Sequence, residues 1–238
     1  MKRIFKKLSL NFLFFIFAAV ILLSGCGKVN KEVIFQNVPF AKFASGCYDG
    51  EISLAEARKH GNFGIGTING LDGEMIVLKG AFSQIKADGK VYRLKSNEKT
   101  PFVTLTFFDI DKTFKLSDEL NYQALQIDLD KKLNSKNMIY AIKITGKFPY
   151  LKVRSVPKQV KPFKDLTEVL KNQEIFILHN VEGVMVGFKF PEYLQGATTA
   201  GYHFHFLSKD KLKGGHVLDC SVETCQVEVD ETSVFDLE

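Results

Sequence analysis

The sequence contains no tryptophan, and its one long apolar run covers residues 12–23. That run is too short to cross a bilayer comfortably, since a membrane-spanning helix needs about 20 apolar residues. No Gly-x-Ser-x-Gly turn is present, so the nucleophile elbow of serine hydrolases is excluded. The five glycines from Gly64 to Gly80 have β-type residues on both sides. They therefore read as tight turns between short strands, and not as the strand-to-helix fingerprint of a dinucleotide site. There is no internal repeat and no low-complexity segment. A basic excess is lacking once residues 1–25 are set aside. Lys2, Arg3, Lys6 and Lys7 fall there, leaving 28 basic against 27 acidic side chains. A nucleic-acid binder would keep a basic surface, so no nucleic-acid partner is expected. Three cysteines follow Cys26: Cys47, Cys220 and Cys225. Cys220 and Cys225 could close a disulfide across a tight turn, but an odd count leaves at least one thiol free.

What is present begins with the N-terminus. A basic start, the apolar run and Leu23-Ser-Gly-Cys26 make residues 1–25 a lipoprotein-type signal peptide. Its last four residues match the bacterial lipobox, which makes Cys26 the expected lipidation site and the start of the mature chain. An uncleaved anchor is the alternative. Both place the body of the protein outside the cytoplasm, either anchored to the membrane or secreted. About 213 residues follow, enough for one large domain or two small ones.

The expected fold class is α+β. Residues 26–157 read as an N-terminal lobe of mixed sheet and helix, and residues 158–238 as a mostly antiparallel β lobe, with the site between them. Val33 to Phe43 reads as an irregular strand. Ser53 with Glu56 forms a capping box for a short helix ending near His60, which is expected to be exposed. Ala81–Lys86 and Val91–Leu94 flank Asp88-Gly89 as a hairpin. Ser117 is the expected cap of a helix carrying Leu120, Leu125 and Leu129. Met138–Thr145 and Tyr150–Val153 read as strands interrupted by Gly146 and Pro149. Pro157–Pro162 marks the boundary, followed by a short helix over Asp165–Lys171. Glu174–Leu178, Val184–Phe190, Tyr202–Leu207, His216–Ser221 and Gln226–Val229 complete the strands. His179 is expected to be structural or on the surface.

The candidate chemistry lies in Tyr202-His-Phe-His-Phe-Leu207 and Gly214-Gly-His-Val-Leu-Asp219. On a strand, His203 and His205 share one face, and Tyr202, Phe204 and Phe206 point the other way. A hairpin through Ser208–Gly215 would return His216 beside them. Three imidazoles leave one coordination position free, as in catalytic zinc sites. His-x-His also occurs as packing or surface chemistry, and Cys220 could be a fourth ligand. Glu74 opens the apolar run Met75–Leu78, an unusual place for a carboxylate without a partner.

Several segments together resemble the alpha-acetolactate decarboxylase family: Tyr48-Asp-Gly50, His60-Gly-Asn-Phe-Gly-Ile-Gly-Thr67, Leu71-Asp-Gly-Glu-Met75 and Arg154-Ser-Val-Pro157. Val186–Leu194, Gly201–Leu207 and Gly214–Asp219 continue the series. The resemblance implies that His203, His205 and His216 hold a zinc ion. It implies that Glu74 and Arg154 are catalytic, that Thr67 lies near the substrate, and that 2-acetolactate is converted to acetoin and carbon dioxide. It also implies two lobes and a homodimer formed through the N-terminal sheet. Asn62 departs from the aspartate usual before Phe-Gly. A second active-site glutamate of the family lies in a tail beyond the segment matching Val229–Glu238, and Glu238 is not its aligned equivalent. The alternatives are a zinc hydrolase, or an extracytoplasmic lipoprotein that binds zinc or a hydroxy-keto acid and has lost catalysis.

Overall fold

The computed structural model describes residues 32–238, so the signal segment and Cys26 lie outside the described residues. In chain order the first elements are β1 (Val33–Gln36), α1 (Phe40–Ala44), β2 (Ile52–Ser53), α2 (Leu54–Ala57), β3 (Phe63–Thr67) and β4 (Glu74–Leu78). Then come β5 (Ala81–Ile85), β6 (Val91–Arg93), β7 (Lys99–Thr100), β8 (Val103–Thr106), β9 (Lys112–Leu116), β10 (Leu120–Asn121) and α3 (Tyr122–Lys132). The last are β11 (Ile139–Ser155), α4 (Leu166–Leu170), β12 (Glu174–Phe190), β13 (Gly201–Ser208), β14 (Gly214–Val222), β15 (Cys225–Thr232) and β16 (Val234–Leu237).

The class is α+β, and two seven-stranded sheets carry it. The first has the order β16-β1-β8-β3-β4-β5-β6 and is mixed, because β16 runs parallel to β1. The second has the order β10-β14-β13-β12-β11-β15-β9, and a further pairing of β14 with β11 curls it back on itself. Alternation decides what lies between the sheets. Ile65, Ile76 and Ile85 of the first meet Ala141, Val186, Phe188 and Leu207 of the second in one buried layer. The opposite face of the second sheet holds its own core, with Phe148, Leu151, Phe204, Phe206 and Val217.

Several expectations change. The division between sheets does not fall at residue 157, since β9, β10 and β11 join the second sheet and β16 returns to the first. The segment after Gln36 turns into α1, because Pro39 at its N-cap has no N–H to continue a ladder. Asn121, not Ser117, caps α3: Leu120 and Asn121 are extended against Val222 and Ser221, and the Asn121 side chain accepts from Ala124 N at 2.9 Å. Gly146 and Pro149 do not break β11. Gly146 lets Thr224 O approach where a Cβ would sit 2.3 Å from it. The β11–β12 register passes over Pro149, next to a left-handed Asn180 at φ 51°. His60 lies past α2, half-buried and stacked on Phe35 at 3.8 Å between ring centroids. Cys220 and Cys225 are both buried free thiols, so no disulfide joins them.

The capping box holds, with Ser53 Oγ accepting from Glu56 N at 3.2 Å. The β5–β6 hairpin also forms, turning at Gly89 with φ 76°.

A buried acid outside the site yields a test. Asp230 is 1% exposed and accepts from Asp109 N at 3.1 Å. Burial, helped by the carboxylates of Asp111, Glu32 and Asp109, pushes its carboxyl from 3.8 up to about 7. The folded state then binds the proton more tightly than the unfolded chain, so this group's contribution to stability is lost as pH rises from about 4 to about 7. Asp230→Asn should flatten that part of the melting-temperature profile. Parallel profiles for variant and wild type across pH 4 to 8 would refute this.

Candidate active site

Three strands of the second sheet and two of the first bring the candidate residues together. In β13, Phe204 and Phe206 enter the second-sheet core, which turns His203 and His205 towards the first sheet. His205 lies directly across from His216 on β14, and His216 lies across from Arg154 on β11. From the first sheet, Glu74 shares the face of Ile76, and Thr67 pairs with Glu74 across β3 and β4. The turn before Glu74 depends on Gly73. Its φ is 79°, and a Cβ there would sit 2.2 Å from Ile85 O.

Register also settles Cys220. Strict alternation would put it on the His216 face. A bulge shifts the pairing from Val153↔Val217 to Lys152↔Asp219, adding one residue in β14. Cys220 consequently turns into the core beside Val217 and does not join the histidines.

The ligand nitrogens of His203, His205 and His216 all lie within 4.8 Å of one another, and among the described residues they form the group suited to a metal ion. His203 Nε2 faces His216 Nδ1 at 3.1 Å. His205 Nδ1 donates to the Met75 carbonyl at 2.9 Å, which fixes the tautomer and leaves Nε2 bare. That Nε2 is buried without a hydrogen-bond partner and lies 3.4 Å from Glu74 Oε2. Burial, with the Arg154 charge adding to it, lowers His203 to about 3. Burial is also the main reason that His205 and His216 stay well below the usual histidine range. All three are therefore neutral imidazoles with lone pairs to offer. This donor set, with its backbone-anchored ring, fits a three-histidine divalent metal centre.

Glu74 is 7% exposed. Burial lifts its carboxyl to about 7, although Arg154 pulls the other way. Arg154 Nε lies 3.9 Å from Glu74 Oε1 and has no hydrogen-bond partner, and Arg154 Nη1 donates to Gln173 Oε1 at 3.3 Å. Thr67 Oγ1 is committed to Gly73 O at 2.6 Å, so its hydroxyl braces the turn that carries Glu74.

The three histidines, Glu74, Arg154 and Thr67 line a cavity of about 230 Å³, and Gln173 stands behind Arg154 outside the lining. Phe40, Phe43, Phe102, Leu166 and Leu170 wall it with apolar surface, and Thr199 lines it too. Glu238 does not. Its N–H donates to Gln36 O beside β1. Asn62 also stays outside the lining, accepting from Phe108 N at 3.1 Å, and His179 is exposed. Gln173 and Thr199 were not visible as site residues in the sequence, because both come from connections between strands, where no periodicity marks a direction.

The profile of the alpha-acetolactate decarboxylase family matches residues 34–238. The chain belongs to that family. It is 44% identical over 212 residues to the alpha-acetolactate decarboxylase of Methylococcus capsulatus, covering 89% of this chain and 81% of the relative. To that of Methanosarcina mazei it is 42% identical over 208 residues, covering 87% and 72%. The crystal structure of alpha-acetolactate decarboxylase from Bacillus subtilis strain 168 superposes with a TM-score of 0.85 at 36% identity, covering 87% of this chain and 88% of that one.

A metal held by three imidazoles is sensitive to the loss of any one. In this decarboxylase-family chain, His216→Ala should weaken binding of a divalent ion by about 100-fold or more. Titration with a competing chelator checks this, and unchanged affinity would remove His216 from the ligand set.

Proposed function

We propose that the protein decarboxylates 2-acetolactate to acetoin and carbon dioxide, with zinc held by His203, His205 and His216. The observation that carries this reading is the convergence of three neutral imidazoles, one guanidinium and one raised carboxyl on a single small cavity. Zinc, when bound, supplies Lewis-acid stabilisation of negative charge on neighbouring oxygens, with no organic cofactor required.

The chain's own groups account for the remaining tasks. The Arg154 fork matches paired oxygens and orients the leaving carboxylate or the enediolate, while Gln173 holds one of its terminal nitrogens. The apolar walls exclude water from the reacting carbon. When the bond to the carboxylate breaks, carbon dioxide leaves and the electron pair stays behind as an enediolate. Glu74, with its carboxyl near 7, can hold a proton at neutral pH and give it to the new carbon centre. Thr67 supports Glu74 through the Gly73 turn and need not touch the substrate.

The same proposal includes a lipid anchor at Cys26, a location outside the cytoplasm, and a homodimer formed through the first sheet, whose edge strands among the described residues are β6 and β16. Intact mass and sedimentation of detergent-extracted protein test these together. A lipid-modified dimer is expected, and an unmodified monomer would overturn both parts.

Turnover is tested with racemic 2-acetolactate, following acetoin from zinc-loaded protein against a chelated control. Zinc-dependent acetoin is expected, and none from folded, zinc-bearing protein would sink the reading. Arg154→Ala and Glu74→Gln should each lower turnover by about 100-fold or more. Near-normal turnover in Arg154→Ala, or unchanged rate and stereochemistry in Glu74→Gln, would remove that residue's assignment.

A further inference from the structure

One hydroxyl at the cavity has no hydrogen-bonding task in the fold. Thr199 Oγ1 is buried and has no hydrogen-bond partner, and Thr199 lines the cavity with the three histidines. An unpaired buried hydroxyl is a standing cost to stability, so its presence calls for a ligand or another explanation. The other threonine at the cavity contrasts with it. Thr67 Oγ1 already donates to Gly73 O at 2.6 Å and has no proton left to offer.

The segment that carries Thr199 is firmly held. Ala197 O accepts from Phe40 N at 2.8 Å and from Gln36 Nε2 at 2.7 Å, and Gly196 O accepts from Ala41 N at 3.0 Å. Thr198 N donates to Leu194 O at 3.0 Å, and Ala200 N donates to Gln195 Oε1 at 3.0 Å. The backbone on both sides of Thr199 is thus tied to α1 and to its own turn, which fixes the position of the hydroxyl. Four residues later the same chain carries His203. Two other unpartnered hydroxyls, Tyr48 and Thr232, do not line the cavity.

The geometry points to Thr199 as a substrate-binding residue whose hydroxyl donates to the carboxylate of a small 2-hydroxy-3-oxo acid. This rests on the decarboxylase reading. A carboxylate offers about four acceptor positions, more than the Arg154 fork alone satisfies. Apolar walls leave any remaining position costly unless a donor meets it, and a hydroxyl bond to a charged oxygen is among the stronger ones. The contact also has a kinetic signature. The carboxylate loses its charge as carbon dioxide departs, so a donor to it stabilises the bound substrate more than the transition state. Losing that donor raises KM and does not lower kcat, since ground-state stabilisation is lost more than transition-state stabilisation.

The test compares wild type, Thr199→Val and Thr199→Ser in the zinc-loaded protein. Valine keeps the shape and removes the hydroxyl, whereas serine restores it. Calorimetry with 2-hydroxy-2-methylpropanoate, which is not turned over, reads the carboxylate contact, and acetoin serves as the probe without a carboxylate. Thr199→Val should bind the hydroxy acid about tenfold more weakly, bind acetoin as wild type does, and melt no lower than wild type. Serine should recover most of the loss. With 2-acetolactate, KM should rise about tenfold and kcat should stay equal to or above that of wild type. Equal affinity of wild type and Thr199→Val for the hydroxy acid would overturn the proposal, as would equal weakening for acetoin. A lowered melting temperature in Thr199→Val would assign the hydroxyl a structural partner instead and overturn it as well. A wild-type protein that binds the hydroxy acid in a Thr199-dependent way but forms no acetoin would overturn the proposed reaction and leave this contact standing.

Discussion

The hydrogen bond from His205 Nδ1 to the carbonyl of Met75 joins the two sheets at the centre of the site. It spans β13 and β4, which belong to different sheets, and it sets three things at once. It fixes the ring of His205, it leaves the buried Nε2 bare, and it aligns β4 so that Glu74 stands 3.4 Å from that nitrogen. The apolar layer on the same interface, with Ile76 and Val186, supplies the force that keeps the strands in contact. One directional bond inside a non-directional layer gives the site its register.

Burial is the second constraint, and it acts on Glu74 and the three histidines in a consistent direction. It keeps the histidines uncharged and raises Glu74 towards neutrality, because both charged forms are disfavoured away from water. Arg154 remains as the fixed positive charge. It reinforces the neutral state of the histidines, and it partly opposes the rise at Glu74 without cancelling it. A pocket built this way suits proton-transfer and ligand chemistry at ordinary pH without an exposed acid or base.

The long strands β11 and β12 explain why such a site forms on a β framework. β14 pairs with both β13 and β11, and this closure puts Arg154, His216 and His205 side by side. The bulge in β14 then separates the functions of its residues, sending His216 to the cavity and Cys220 to the core. The connections contribute as well. α1 and the segment 195–200 brace one another through Phe40, Ala41 and Gln36, and so position Thr199 at the cavity wall.

The local pattern of residues was enough to reveal the histidine pair, because a strand has a period of two and Phe204 and Phe206 show which face is buried. The return of His216, the hairpin at Gly89, the cap at Ser53 and the short helix after Asp165 were legible for the same reason: each depends on neighbours within a few residues. Motif resemblance added Glu74 and Arg154, which no local period would have paired. Tertiary structure alone decided the partition of the sheets, the return of β16 to the first sheet, and the orientation of Cys220. It also decided that the Thr67 hydroxyl is spent on Gly73, while that of Thr199 is free to meet a ligand. The reason is physical. Side-chain alternation is a property of one strand, whereas a bulge, a strand crossing or an unpaired hydroxyl is defined only by what another segment, far away in the chain, brings against it.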